Sequence, residues 1–273
     1  MTSLPPFSHL WKETWNRFGA NNNLMLSIGA IGSVPLIALT FLPVPKTPTG
    51  FLLIVGLYLV AALWSGLASM AIYASAAHPE IRTIGDSFRL GGSRWVAFFT
   101  TQLLEGLAVL IPALLLLGAL VAVSFSSIRA VGFSNIEKMD GSMILIIAAL
   151  IIAGIIGLSF WAYRLTFSGF IVFSENKRNL DALRSSLALT KGRVMELWGK
   201  FFVFGLCLVA ISIGISIISG ISTSRMSEES LAYIIISSLF GLLSNMILIP
   251  LETLFVAVLY HALRSNEQPT IQA

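Results

Sequence analysis

Charge is what this sequence has least of: only 11% of its 273 residues are Asp, Glu, Lys or Arg, where water-soluble domains carry about 25%. A soluble globule of this length needs polar surface to cover its core, so an ordinary water-soluble fold is excluded and lipid must solvate much of the chain. Cysteine is nearly absent. The single Cys207 lies inside an apolar segment, which excludes an intrachain disulfide and a thiolate metal site and leaves a packing role. Histidine is scarce as well: His9, His78 and His261 are far apart, and no HExxH, serine elbow or paired carboxylates in a soluble loop accompany them. The string Arg89-Leu90-Gly91-Gly92-Ser93 lacks the preceding strand and following Lys of a phosphate loop. No catalytic set, metal site or cofactor is expected.

What the chain does have is long apolar runs, 56% of its residues being hydrophobic. A bilayer core of about 30 Å takes roughly 20 apolar residues in helix. Six segments meet that length, approximately Leu24 to Leu42, Phe51 to Ala77, Val96 to Phe125, Met143 to Phe173, Phe201 to Ile221 and Leu231 to Leu263. The expected fold is all-α, a polytopic membrane bundle of six transmembrane helices forming a single domain, with an amphipathic stretch over residues 1–23 and a short tail over 264–273. Several segments exceed one bilayer crossing, so tilt or helix continuing beyond the surface is expected. The amino terminus places no basic region before an apolar run, so the first span is expected to be retained.

The net charge of +4 is not that of a nucleic-acid binder, because no basic domain is present. Lys and Arg instead alternate between the connections, twelve on the side of the two termini against four opposite, with Arg164 inside the fourth span. The excess of positive charge marks the cytoplasmic side, which predicts a cell inner (plasma) membrane protein with both termini cytoplasmic.

Before each odd-numbered span lies a stretch with apolar residues at helical spacing. Phe7, Trp11, Trp15 and Phe18 form one stripe beside Lys12 and Arg17; Ile81, Ile84 and Phe88 a weaker one near Arg89 and Arg94; Leu180, Leu183 and Leu187 a third near Arg184, Lys191 and Arg193. Such helices suit the headgroup region, aromatic residues inward and basic residues toward anionic lipid; packing on the bundle is the equal alternative. Glu13 to Gly19, Asp86 to Gly92 and Ser185 to Gly192 can be laid over one another, which predicts three helical hairpins, each introduced by an interfacial helix.

Ionisable groups at membrane depth are costly and are functional candidates by default. Glu105, Arg164 and Glu252 fall at similar depth toward the cytoplasmic half. They read either as a proton or ion relay or as a buried ion pair, to which Asn245 and Gln102 add interhelical hydrogen bonds; the structural reading has the larger weight. Pro250 is expected to kink the sixth span, and Gly154 and Gly157 to let helices approach closely.

Two stretches carry a resemblance: Leu180-Asp181-Ala182-Leu183-Arg184-Ser185-Ser186-Leu187-Ala188-Leu189-Thr190-Lys191-Gly192, and Pro250-Leu251-Glu252-Thr253 through Leu259-Tyr260-His261-Ala262-Leu263-Arg264. They resemble the acidic-Ala-Leu-x-x-Ser-x-x-Leu-Thr-x-Gly and Pro…Leu-Tyr-x-x-Leu-Arg patterns of the membrane domain associated with glycerophosphoryl diester phosphodiesterases and of related small bacterial inner-membrane proteins. The likeness is sharpest over residues 164–264 and fades in the first half, and Ala262 departs from the acidic residue common there. In the full phosphodiesterases the resemblance places hydrolysis in a soluble barrel of about 250 residues, for which this chain has no room. The reading is therefore non-enzymatic: a scaffold, accessory subunit or lipid-associated factor contacting anionic headgroups and a membrane protein partner or second copy. The alternative is a small-molecule or ion transporter built on Glu105, Arg164 and Glu252. Removing residues 1–19 is expected to weaken association while leaving the bundle folded.

Overall fold

In the computed structural model, residues 3–42, 45–131, 141–227 and 230–265 are described, with side chains omitted for residues 120, 123–131, 141–144 and 146–147. Lys138, used in the charge count, and the end of the expected tail lie outside them. The described residues fold into ten helices: α1 (Phe7–Ala20), α2 (Asn22–Thr40), α3 (Pro48–Ala77), α4 (Ile84–Ser93), α5 (Trp95–Val131), α6 (Gly141–Leu165), α7 (Ser168–Ser174), α8 (Asn179–Leu189), α9 (Val194–Thr223) and α10 (Leu231–Ser265). Six apolar stretches are long enough to cross a membrane: α2, α3, α5, the α6–α7 pair, α9 and α10. The molecule is an all-α multi-pass bundle. At 1.5 Å per residue the 35 residues of α10 reach about 52 Å, well past the hydrocarbon core.

Local chemistry starts these helices where the sequence changes character. Thr47 accepts from the Gly50 amide at 3.1 Å just before Pro48, whose fixed φ suits a first helical position. Thr83 accepts from the Asp86 amide at 3.1 Å, and Asp86 sits in the first turn of α4, where a carboxylate complements the helix dipole.

The helices run in three units, α1-α2-α3, α4-α5-α6-α7 and α8-α9-α10, each an amphipathic helix followed by a hairpin. Each amphipathic helix packs on the hairpin before it: α4 on α3, α8 on α5, α6 and α7, and α1 back on α10. The chain thus closes into a ring of three. Thr14, Ser87 and Ser186 occupy the same place in the three sequence segments, and all three are fully buried. Four residues on, Phe18, Gly91 and Thr190 are buried too.

This buried line overlaps the apolar stripes read from the sequence only at Phe18 and Leu183. In α1 it runs through Leu10, Thr14 and Phe18; in α8 through Ala182, Leu183, Ser186 and Leu189. The larger side chains flank it: Trp15 is 37% exposed, Ile84 36% and Leu180 55%. Small and hydroxylated residues permit close backbone approach, and Gly91 meets the Ala71 backbone so tightly that a Cβ there would lie 3.1 Å from its nitrogen. Trp15, Ile84 and Leu180 are left on the outer surface, while Phe7, Trp11 and Phe88 pack against the edge of the core.

The core is concentrated at the end capped by α1, α4 and α8. Its fully buried side chains include Met25, Ile28, Ile72, Phe167, Phe170, Phe173, Leu197 and Phe255. Phe255 stacks on Phe204 with centroids 4.0 Å apart and meets Phe7 and Phe201 at angles. Toward the opposite end Leu52, Leu115, Leu145, Ile221 and Leu231 are all more than half exposed.

Helix α2 is wedged between α3 and α10 through Gly29 and Gly32, where added Cβ atoms would lie 3.1 Å from Met246 Cα and 2.5 Å from Ala68 Cβ. Ser65 and Trp64 of α3 donate to the Gly32 and Ile31 carbonyls at 2.7 and 2.8 Å. Gly154 does pack on Leu116 of α5, whereas Gly157 faces open space. Helix α10 continues through Pro250. The proline nitrogen bears no hydrogen, so the Met246 carbonyl loses its intrahelical partner at the place where Gly29 approaches.

Candidate functional site

The fourth apolar segment is not one continuous helix. It breaks at Thr166–Phe167 into α6 and α7, where Ser186 on α8 donates to the Arg164 carbonyl at 2.6 Å. The Ser168 hydroxyl turns the other way and donates to a carboxylate oxygen of Glu105 on α5. The break thereby supplies a partner to a carboxylate at membrane depth.

Glu105 is half-buried and Glu252 exposed, and the hydroxyl of Tyr73 on α3 lies within electrostatic reach of both. Tyr73 is held by Phe98 and Phe173, with ring centroids 5.2 and 6.5 Å away. The one direct contact among these polar groups is the bond from Ser168 to Glu105. Sequence reasoning missed Tyr73 and Ser168, since neither is charged; the hydroxyl four residues after Arg164 was the available signal.

Arg164 does not join them. Among the described residues no ion pair links it to either carboxylate; its Nη2 donates to the Leu187 carbonyl at 3.5 Å, its guanidinium lies 5.8 Å from the centre of the Trp161 ring, and its buried Nε has no partner. It tethers α6 to α8, and the expected buried ion pair is corrected to two separate arrangements. Among the described residues Asn245 makes no interhelical side-chain bond; it lines a cleft between α2 and α10. Gln102 Oε1 is buried without a partner, beside Gly169 on α7.

The basic residues of the capped end divide by environment. Lys12 and Lys191 are exposed, as are Arg89 and Arg184, whose carboxylate neighbours Asp86 and Asp181 lie 3.5 and 3.8 Å away. Arg17 is held by Glu13 at 2.9 Å. Arg94 was expected to face headgroups but turns inward, donating to the Val172 and Phe173 carbonyls at 2.8 and 2.7 Å. Those carbonyls close α7, where a cation complements the helix end. Arg193 is half-buried, with Nη1 enclosed and without a partner, so it too is part of the packing. Trp11 lies between Trp15 and Phe204, at 5.7 and 5.9 Å.

A polar knot ties α7 to α10. Glu175 accepts from Tyr260 and Arg264 and pairs with Lys177 at 2.8 Å. Burial pushes its carboxyl up, but the bonds from Lys177, Tyr260 and Arg264 outweigh burial and hold it below the usual carboxylate range. His78 caps the same helix end at 3.1 Å from the Phe173 carbonyl. No family model, curated protein or solved structure matches this chain.

Proposed function

We propose that this chain is a non-enzymatic membrane protein of the cell inner membrane, with both termini cytoplasmic, acting as a scaffold or accessory element that associates with anionic headgroups and membrane partners through its capped end. One observation carries the reading: α1, α4 and α8 turn the faces that hold Thr14, Ser87 and Ser186 into the bundle and present Lys12, Arg89, Arg184 and Lys191 outward. Near an anionic surface each such cation contributes about 1 kcal/mol of attraction. The reading includes kinship with the membrane domain associated with glycerophosphoryl diester phosphodiesterases on the residues of the two motif stretches; residues 180–192 are α8 and its exit turn, and residues 250–264 supply much of the core.

Truncating residues 1–19 does not test this, because Leu10, Thr14 and Phe18 are part of the core. Charge reversal does. The variant K12E/R89E/R184E/K191E should keep its melting temperature and lose most of its preference for anionic over zwitterionic nanodiscs, read as bound anionic lipid per protein. An unchanged preference would refute the reading.

The bond from Ser168 to Glu105 beside the helix break at membrane depth favours a second reading, transport of a small molecule or ion. Here E105Q/E252Q should fold normally and abolish flux in proteoliposomes; a melting temperature that falls with it would instead assign the two carboxylates to packing.

A further inference from the structure

Beside the start of α5 lies a pocket of about 200 Å³, with Arg94, Val96, Ala97, Thr100, Arg178 and Asn179 in its wall. No Asp or Glu lines it among the described residues. The hollow at Arg89 differs in this respect, since Glu80 and Asp86 line it too.

Both guanidinium groups of the pocket are held in place with donors to spare. Arg94 gives Nη1 to the Val172 and Phe173 carbonyls at 2.8 and 2.7 Å, while its Nε and Nη2 make no hydrogen bond to any described residue. The Arg178 side chain makes neither a hydrogen bond nor an ion pair with any described residue. Its neighbour pins the backbone there: the Asn179 amide donates to Thr101 Oγ1 at 2.9 Å, and the Asn179 side chain meets the Thr100 hydroxyl at 2.5 Å. One cation is thus anchored by α7 and the other carried on a segment tied to α5. Two guanidinium forks at one hollow repel each other until an anion joins them, and their planar geometry matches the oxygens of a phosphate. The helix adds to this. The bond from the Phe98 amide to the Arg94 carbonyl, 2.9 Å, opens α5, so the Val96 and Ala97 amides precede its hydrogen-bonded ladder at the end that favours negative charge.

Position selects what carries the phosphate. The apolar stretch Trp95–Ala119 is long enough to cross a membrane, and the pocket lies on its first turn. Beside it Trp95 and Phe99 are 50% and 47% exposed, an apolar flank of the aromatic kind found at membrane–water interfaces. Acyl chains cover that flank; a soluble anion leaves it bare.

We propose that this pocket binds one phosphate group, the phosphodiester of a membrane lipid whose acyl chains lie along Trp95 and Phe99. The proposal rests on the reading above in taking the capped end to face lipid headgroups. It adds one saturable site to the diffuse attraction of Lys12, Arg89, Arg184 and Lys191.

The test is a titration of delipidated protein in mild detergent, read by native mass spectrometry. The probes are dioleoylphosphatidylglycerol, dioleoylglycerol, which lacks the phosphate, and glycerol phosphate, which lacks the chains. The wild type should hold one phosphatidylglycerol and bind the other two at least about ten-fold more weakly, the loss expected for one charge-assisted hydrogen bond. R178Q, on an exposed side chain, should weaken the lipid by a similar factor while the melting temperature holds. V96E places a carboxylate in the pocket where the helix start tolerates it and should abolish the bound lipid. K12E/R89E/R184E/K191E leaves the pocket untouched and should keep that lipid, so failure here and failure of the reading above give different patterns. Equal binding of phosphatidylglycerol and dioleoylglycerol, retention of the lipid by both R178Q and V96E, or its loss from the quadruple variant would each overturn the site. Glycerol phosphate binding as tightly as the lipid would overturn the lipid as carrier.

Discussion

Substituting Gly32 by alanine tests how the bundle is wedged together. The new Cβ would lie 2.5 Å from Ala68 Cβ, with Ser65 Cα a further neighbour at 4.0 Å; the normal carbon–carbon separation is about 3.5–4.0 Å. Neither clashing atom is the end of a flexible side chain, so α2 must move away from α3 by about an ångström. That movement strains the Ser65 and Trp64 bonds to the Gly32 and Ile31 carbonyls. Overpacking of this kind costs about 1–3 kcal/mol, offset by up to about 1 kcal/mol because alanine is the better helix former. The net loss should be about 1–2 kcal/mol. A68G removes the other half of the clash, so G32A/A68G should show a favourable coupling of at least about 1 kcal/mol relative to the two single variants. The assay is thermal or SDS unfolding in detergent, followed by a thiol-reactive dye, for which half-buried Cys207 is a built-in reporter. A G32A protein as stable as the wild type, or a cycle with no coupling, would refute the close approach of α2 and α3.

Acidification should expose the Glu175 knot. Because the folded carboxyl is held below its usual value, its contribution is complete above the ordinary carboxylate pKa of about 4.3 and is lost as pH falls through the lower folded value. The melting temperature should therefore drop below about pH 4, and E175Q should flatten that acid limb. Replacing Arg94 by Gln leaves the Val172 and Phe173 carbonyls without their charged donor and should cost about 1.5–3 kcal/mol, measured by the same unfolding assay. Arg89→Gln, on an exposed side chain of the same helix, should change stability by less than about 0.5 kcal/mol.

The candidate site was legible in its charges and illegible in its partners. Glu105 and Glu252 stood out because charge at membrane depth is rare, and Glu105 is bonded by Ser168 across the α6–α7 break. Arg164 stood out for the same reason and pairs with neither, because its direction is set by a contact with α8 that no spacing within α6 encodes. Charge alone also put Arg94 and Arg184 in one class. Only the position of α7 shows that Arg94 closes a helix end while Arg184 faces outward.

By itself the sequence determined the solvent, the number of apolar segments and the three-unit order, because the length of an apolar run and the spacing of charges are properties of the chain alone. It held the repeat as well, in the register that aligns Thr14, Ser87 and Ser186. Which face of each capping helix is buried was decided by tertiary structure: a hydroxyl or glycine admits a neighbouring backbone that a tryptophan excludes, and this preference appears only when the neighbour is in place. The break between α6 and α7 is likewise visible only in the tertiary structure, where a hydroxyl on α8 bonds the last-turn carbonyl of Arg164.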